Sequence, residues 1–127
     1  MEKPILLDTD VLIDFFRGLD EAVTLIDKYN TRIIISSIVV AELFAGVKGD
    51  AEQHALQRFV SLFRVVPVDE EIGIAGGLYK RDYGKSHGVG LADAILAATA
   101  EFENAELKTL NIKHYPMIKG LKPAYRK

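Results

Sequence analysis

The chain has 127 residues, 49% of them hydrophobic, and a net charge of −2. A chain of this length buries roughly two-thirds of its unfolded surface, so we expect a single domain over residues 1–127. It has no cysteine, which excludes disulfides, thiolate zinc sites and cysteine nucleophiles and is typical of the reducing cytoplasm. The sequence has no signal peptide pattern and no apolar run of membrane-spanning length. We therefore expect a cytoplasmic protein without a membrane segment.

Charge is distributed unevenly along the chain. Residues 1–106 carry ten Lys and Arg against eighteen Asp and Glu, a net of −8, and residues 107–127 carry six basic residues and no acidic one. Such a basic segment is either a solvated tail or a phosphate-attracting rim beside an acidic site. The sequence leaves both interpretations open.

The first half of the chain alternates predicted strands with predicted helices. Residues 5–7 form an apolar run that predicts a buried strand, and a helix over residues 11–17 follows with Asp10 as its N-cap. A second helix is predicted over residues 20–29. The β-branched run at residues 32–36 predicts a central strand, after which Ser37 is predicted to cap a helix over residues 38–47.

The second half continues the same alternation. Asp50 is predicted to cap a helix over residues 51–63, and residues 65–66 form a short strand. Acidic residues at 69–71 suit the start of a helix that runs to residue 85. A helix over residues 91–102 and a strand over residues 106–110 complete the pattern. Strands that alternate with helices predict the α/β class, with a central parallel sheet and helices on both of its faces.

Oxygen-bearing side chains follow several of these elements. Asp8 closes the first strand, Glu42 lies in the first turns of the helix after the second strand, and Asp93 lies in the first turn of a later helix. Asn111 follows the last strand. Because sites in open parallel sheets form beyond the carboxyl ends of the strands, we expect these four side chains to meet at one edge.

Glu42 and Asp93 lie in segments that otherwise look like core, SSIVVAELFAGV and GLADAILAATA. Buried carboxylates are costly unless a positive partner meets them, and a shared cation would serve both. Carboxylate and amide oxygens suit Mg²⁺ or Mn²⁺ better than zinc, and ions held in this way are a recurring device for phosphodiester cleavage. Asp14, one helical turn beyond Asp10, is instead predicted to be a surface or partner-contact residue.

Four segments carry a specific resemblance: LLDTDVLID, SSIVVAELFAGV, GVGLADAILAATA and LKTLNIKHY. In their order and spacing they resemble the PIN-domain ribonucleases, most closely the VapC-type toxins of toxin–antitoxin pairs, over nearly the whole chain. The resemblance implies a three-layer α/β/α sandwich and Mg²⁺- or Mn²⁺-dependent endoribonuclease activity on an RNA substrate. It also implies a cognate VapB-like antitoxin and a homodimer.

The resemblance also implies roles for individual residues. Asp8, Glu42 and Asp93 match the three principal acidic positions of the family, which hold the metal, and Asn111 stands at a fourth catalytic position that is often Asp. Supporting roles fall to five further residues: Thr9, Asp10, Ser37, Thr109 and His114.

Three other interpretations remain open. LLDTDVL also resembles the start of aspartate-nucleophile phosphatases, although the residues after Asp10 do not fit that motif. A phospho-receiver module would use Asp69 and Lys122 but would give Glu42 and Asp93 no joint task. A degenerate PIN fold that only binds RNA or protein is the third, and the intact acidic residues argue against it.

Overall fold

The computed structural model describes residues 2–127, and its central layer is a parallel sheet. Within these residues the sheet has four strands: β1 (Ile5–Leu7), β2 (Ile33–Ser36), β3 (Arg64–Val66) and β4 (Glu106–Lys108). Their spatial order is β3-β2-β1-β4. All three pairs of neighbouring strands are parallel, which confirms the predicted sheet.

Six α-helices flank this sheet in the part of the chain that the structure describes. They are α1 (Thr9–Phe16), α2 (Asp20–Lys28), α3 (Ser37–Ala45), α4 (Gly49–Val60), α5 (Glu70–His87) and α6 (Leu91–Phe102), and a 3₁₀ helix follows at Ile112–His114. Helices on both faces give the predicted three-layer α/β/α sandwich. None of the helices within residues 2–127 is long and apolar enough to cross a membrane.

The chain order of the strands explains where polar side chains gather. β1 is central and all three of its residues are fully buried, as expected for a strand with neighbours on both edges and helices on both faces. The chain adds β2 and then β3 on one side of β1 and later places β4 on the other side. Crevices form at the carboxyl ends of strands where the order reverses in this way, and Asp8 and Thr109 follow β1 and β4 at that point.

Two predicted helix caps were wrong by one or two residues. Asp8, not Asp10, is the N-cap of α1, and Ser36, not Ser37, is the N-cap of α3. In both cases the chain passes from strand to helix almost without a loop. The cap must be the last residue with extended backbone angles, so it falls at or directly after the end of the strand.

The predicted cap of α4 was also wrong. This helix begins at Gly49 and ends at Val60, and its N-cap is Lys48, whose side chain forms no capping bond. The Lys48 backbone N–H instead donates to the Glu52 carboxylate, four residues further along the chain, at 3.2 Å. Asp50 lies inside the first turn, where its charge suits the helix dipole.

The last predicted strand was too long, since β4 ends at Lys108. Thr109 therefore lies beyond the sheet, at the start of the segment that leads to the 3₁₀ helix. This placement puts its side chain at the crevice beside Asp8.

Candidate active site

Asp8 is the centre of a cluster of acidic side chains at the carboxyl end of β1. It is buried, and its Oδ1 accepts the Thr9 backbone N–H at 2.7 Å. Its Oδ2 accepts two hydroxyl groups, from Thr109 at 2.8 Å and from Tyr115 at 2.6 Å. Within residues 2–127 no Lys or Arg pairs with Asp8, so neutral donors alone meet this carboxylate.

Asp93 reaches the same hydroxyl from the first turn of α6. Its Oδ1 lies 3.1 Å from the Tyr115 hydroxyl, and its Oδ2 lies 3.2 Å from Nδ1 of His114. Burial and then the charge of Asp8 raise the pKa of Asp93 above its ordinary value, against the opposing effects of Tyr115 and His114. Asp8 and Asp93 are thus brought together on one tyrosine.

Tyr115 remains protonated in these surroundings. Burial is the largest cause that raises the pKa of its hydroxyl, and the neighbouring Asp8 and Asp93 raise it further. A phenol has one proton to donate, and the shorter contact assigns that proton to Asp8. Tyr115 was not predicted as a site residue, although it is the last residue of the segment LKTLNIKHY. Only the fold brings this aromatic side chain between two acids.

Asp10 ties α1 to the segment after β4. Its carboxylate accepts the backbone N–H groups of Val11 at 2.8 Å and Leu110 at 2.9 Å, and it lies 3.4 Å from the Thr109 hydroxyl. Burial and then the charge of Asp8 raise the pKa of Asp10, although these hydrogen bonds oppose the rise. Asp10 therefore lies beside the cluster and has its own backbone partners.

Glu42 lies at the rim of the cluster. The Thr9 hydroxyl donates to its Oε1 at 2.8 Å, which links it to the residue that follows Asp8. The expectation that Glu42 lies among core residues was wrong, because its side chain is exposed. Helix α3 covers the sheet with one face only, where Val39 and Leu43 are buried, so its apolar composition does not imply burial all round.

The side chains of Ser37 and Asn111 do not join this hydrogen-bonded cluster. The Ser37 hydroxyl accepts the backbone N–H of Val68 at 3.1 Å and so connects α3 to the segment before α5. Asn111 is exposed, and its backbone N–H donates to the Thr109 hydroxyl at 3.1 Å. Among the residues that the structure describes, neither side chain forms a hydrogen bond with Asp8, Glu42 or Asp93.

Asp14 was predicted to be a surface or partner-contact residue, and the predicted surface position was wrong. Its side chain is buried, with 6% of the residue exposed, because the C-terminal segment folds back over α1. The Tyr125 hydroxyl donates to its Oδ2 at 2.7 Å, and Nζ of Lys127 lies 3.0 Å from the same oxygen. Lys127, the last basic residue of the segment, therefore pairs with an acid of the same chain.

The donor set of this cluster fits a hydrated magnesium ion. No three His, Asp or Glu side chains in the described range 2–127 converge closely enough to enclose a metal ion by themselves. However, Mg²⁺ in proteins is usually held by one or two carboxylates and keeps several waters. Asp8 and Asp93 supply two such carboxylates at one tyrosine hydroxyl without a Lys or Arg partner.

Comparisons with known proteins identify the family to which this chain belongs. A family model described as the PIN domain matches residues 5–115. The chain is 38% identical over 124 residues to ribonuclease VapC10 of Mycobacterium tuberculosis, which covers 95% of this chain and 92% of the relative. The chain is also 37% identical to ribonuclease VapC19 of the same species, and this alignment covers 94% of this chain and 98% of VapC19. Among solved structures, a toxin–antitoxin complex from Klebsiella pneumoniae contains a chain that superposes with a TM-score of 0.83 at 28% identity, covering 97% of this chain and 99% of that chain.

Proposed function

Because this chain belongs to the PIN domain family, we propose that it is an endoribonuclease and the toxin of a toxin–antitoxin pair. The observation that carries the proposal is the meeting of Asp8 and Asp93 at the carboxyl end of a parallel sheet, in a chain similar over its length to two ribonucleases. The substrate is RNA, and we expect it to be cut in the cytoplasm. We also propose that residues 1–127 act as one domain.

We propose that Asp8 and Asp93 hold Mg²⁺ or Mn²⁺, with Glu42 as a third acidic group at the rim. When bound there, the cation would supply the charge that activates water and stabilises the leaving oxygen. The protein fixes the ligands: Thr109 and Tyr115 orient Asp8, and Thr9 restrains Glu42. Ligand-orienting hydrogen bonds of this kind tune metal affinity.

Exposed basic side chains follow this site along the chain. The 3₁₀ helix at Ile112–His114 places Lys113 next to His114, which faces Asp93. Lys113 is exposed, as are Lys119 and Lys122 further along the segment. We propose that RNA phosphates contact these lysines, since exposed basic side chains neutralise a nucleic-acid backbone at little structural cost.

The antitoxin has a candidate docking site that starts at the acidic cluster. A groove of about 610 Å³ lies between α1, α3 and α4, and its lining includes Ile13, Phe16, Leu43 and Glu42. An apolar antitoxin segment placed here would end at Glu42, close to Asp8. A basic side chain at that end could then form a charge-assisted hydrogen bond with the acids in the absence of metal.

The non-nuclease alternatives fit the molecule less well. A receiver module needs Asp69 as a free phosphate acceptor, but this side chain caps α5 by accepting the backbone N–H of Ile72 at 2.9 Å. The relatives at 37–38% identity are named as ribonucleases rather than phosphatases. No contact in the described residues gives Asp8 a lysine neighbour, which the aspartate-nucleophile phosphatases require.

A cleavage assay on structured RNA tests the proposal. We expect Asp8→Asn and Asp93→Asn each to reduce cleavage by more than about 100-fold, because each removes charge from the metal site with little change in volume. Asp27→Asn, an exposed acid on α2, is the control and should retain wild-type activity. EDTA should stop the reaction, and added Mg²⁺ or Mn²⁺ should restore it. Full cleavage in chelator, by a preparation free of other nucleases, would overturn the proposal.

A further inference from the structure

We propose that Tyr115 is a positioning residue of the active site, whose hydroxyl holds the Asp8 carboxylate beside Asp93 in the arrangement that binds the cation. This inference rests on the metal-dependent function proposed above. It assigns a role to a side chain that was not among the site residues predicted from the sequence.

The position of the Tyr115 hydroxyl is set by the fold rather than by the carboxylates. The residue is 1% exposed and its ring packs within the main hydrophobic core. Its backbone is held on both sides, since its N–H donates to the Ile112 carbonyl at 3.0 Å and its carbonyl accepts the Ile118 N–H at 3.0 Å. A tyrosine has only two side-chain torsions, so a fixed backbone and a buried ring leave the hydroxyl little freedom.

The hydroxyl restricts how Asp8 can present its oxygens. An ionised carboxylate has about four acceptor positions, two on each oxygen. Oδ2 is occupied by the hydroxyl groups of Thr109 and Tyr115, while Oδ1 accepts only the Thr9 N–H. The remaining acceptor position is therefore on Oδ1, and Tyr115 helps to make this oxygen the one available to a cation.

The same hydroxyl lies between two acids that arrive from different elements. Asp8 follows β1 and Asp93 belongs to α6, 85 positions later in the sequence, and their charges repel. The Tyr115 oxygen lies 2.6 Å from one carboxylate and 3.1 Å from the other. The proton that Tyr115 donates to Asp8 offsets part of this repulsion. Without it, repulsion would favour a wider separation, and bringing the two acids onto one cation would cost more free energy.

A second tyrosine in the same chain provides a matched control. The Tyr125 hydroxyl also donates to an aspartate oxygen, Oδ2 of Asp14, at 2.7 Å. Asp14 lies near the C-terminal end of α1, whereas Asp8 caps its N-terminal end. Lys127 forms the ion pair with Asp14. Tyr125→Phe therefore removes the same chemical group and the same kind of hydrogen bond away from the proposed metal site.

The experiment is a calorimetric titration of Mn²⁺ and of Mg²⁺ into the wild-type protein, Tyr115→Phe and Tyr125→Phe. We expect Tyr115→Phe to weaken cation binding about tenfold, the usual effect of losing a group that orients a metal ligand. Tyr125→Phe should bind as the wild type does. Cleavage measured against metal concentration should show a higher half-maximal concentration for Tyr115→Phe and near-normal turnover at saturating metal. Urea unfolding in EDTA on the same samples reports any general loss of stability.

The outcomes separate this inference from the proposed function. Equal or tighter cation binding by Tyr115→Phe, beside a wild type that binds normally, would overturn the positioning role alone. An equal loss in both tyrosine variants would also overturn it, because the effect would then reflect stability rather than the site. A wild type that binds neither cation would overturn both proposals.

Discussion

At the scale of single residues, the acidic cluster is stabilised by hydroxyl groups. Thr109 and Tyr115 donate to Asp8, and Thr9 donates to Glu42. Burial and the charge of Asp8 nevertheless raise the pKa values of Asp10 and Asp93. The protein without metal therefore keeps close carboxylates together at some cost in stability, a common property of functional sites.

The pKa of Asp14 is shifted in the opposite direction, which allows a test at acidic pH. Burial alone would raise its pKa, but the Tyr125 hydroxyl and the Lys127 ammonium outweigh burial and lower the pKa below its ordinary value. Ionised Asp14 therefore stabilises the folded state above the unfolded-state pKa of about 3.9, and this contribution is lost as the pH falls through the folded-state pKa. We expect Asp14→Asn to lower the free energy of unfolding by about 1 kcal/mol at pH 7, as measured by urea denaturation.

The pH dependence separates this effect from a general loss of stability. The difference between the wild type and Asp14→Asn should shrink as the pH falls below about 4, because the wild type then loses the ionised form of the side chain. The same acidification has the reverse effect at Asp93, whose raised pKa means that protonation stabilises the fold. A constant difference between the two proteins from neutral to acid pH would contradict the assignment to Asp14.

At the scale of secondary-structure elements, the pair of helices α5 and α6 sets the position of Asp93. The two helices pack against each other extensively, and Gly76 of α5 lies against Ile95 of α6. A Cβ atom there would lie 2.8 Å from Cγ1 and 2.9 Å from Cα of Ile95, distances that side chains do not tolerate. Ile95 is two residues from Asp93, so this contact connects helix packing to the site.

Two neighbouring glycines of α5 give a matched pair of variants. We expect Gly76→Ala to lower the free energy of unfolding by about 1–3 kcal/mol, because the new methyl group forces the helices apart. At Gly77 an added Cβ meets nothing within 4 Å. Gly77→Ala should therefore raise the free energy of unfolding by roughly 0.5–1 kcal/mol, because alanine has the higher helix propensity. Urea denaturation of both variants measures the difference, and effects of the same sign and size would contradict the close-packing argument.

The C-terminal segment is a second element with contacts to distant parts of the fold. Its Ala124 N–H donates to the Thr109 carbonyl at 2.9 Å, and Tyr125 holds Asp14. The segment therefore holds the residue that follows β4 and the C-terminal half of α1. Among the basic residues of this part of the chain, Lys108 and Lys127 form ion pairs within the protein, whereas Lys113, Lys119 and Lys122 are exposed. The basic segment is therefore not used in one way throughout.

At the scale of the whole molecule, α5 exposes apolar side chains that favour self-association. Ile74 and Leu78 are 59% and 44% exposed, and their spacing of four residues places them on one helix face. We expect a homodimer of about twice the 14.1 kDa chain mass, and Ile74→Lys combined with Leu78→Lys should convert it to monomer. Light scattering at micromolar concentration measures this.

A control on another surface tests whether the α5 face is specific. Leu62 is 75% exposed and lies before β3, so Leu62→Lys removes an exposed leucine without changing α5. This variant should keep the wild-type mass. A wild-type protein that is monomeric under the same conditions would contradict the dimer, and a monomeric Leu62→Lys would assign the interface to a different surface.

The sequence by itself determined the order of the elements, the α/β class and the family resemblance, and the structure and the comparisons confirm these. These properties depend on local patterns, such as the apolar run of β1 and the alanine-rich α6, which the chain carries whatever its distant contacts. The site assignments of Asp8, Glu42, Asp93 and Asn111 rest on the resemblance and stay predictions. The caps of α1 and α3 were missed because the strands lead into these helices with almost no loop.

Only the tertiary structure decided which groups meet the acids. The Thr109 and Tyr115 hydroxyls lie 101 and 107 positions from Asp8 in the chain, and Tyr125 lies 111 positions from Asp14. The exposure of Glu42 was likewise decided by how one face of α3 packs on the sheet. Periodicity and capping signals extend over a few residues, whereas the partner of a polar side chain and the side of a helix that is buried depend on contacts formed only when the whole chain is folded.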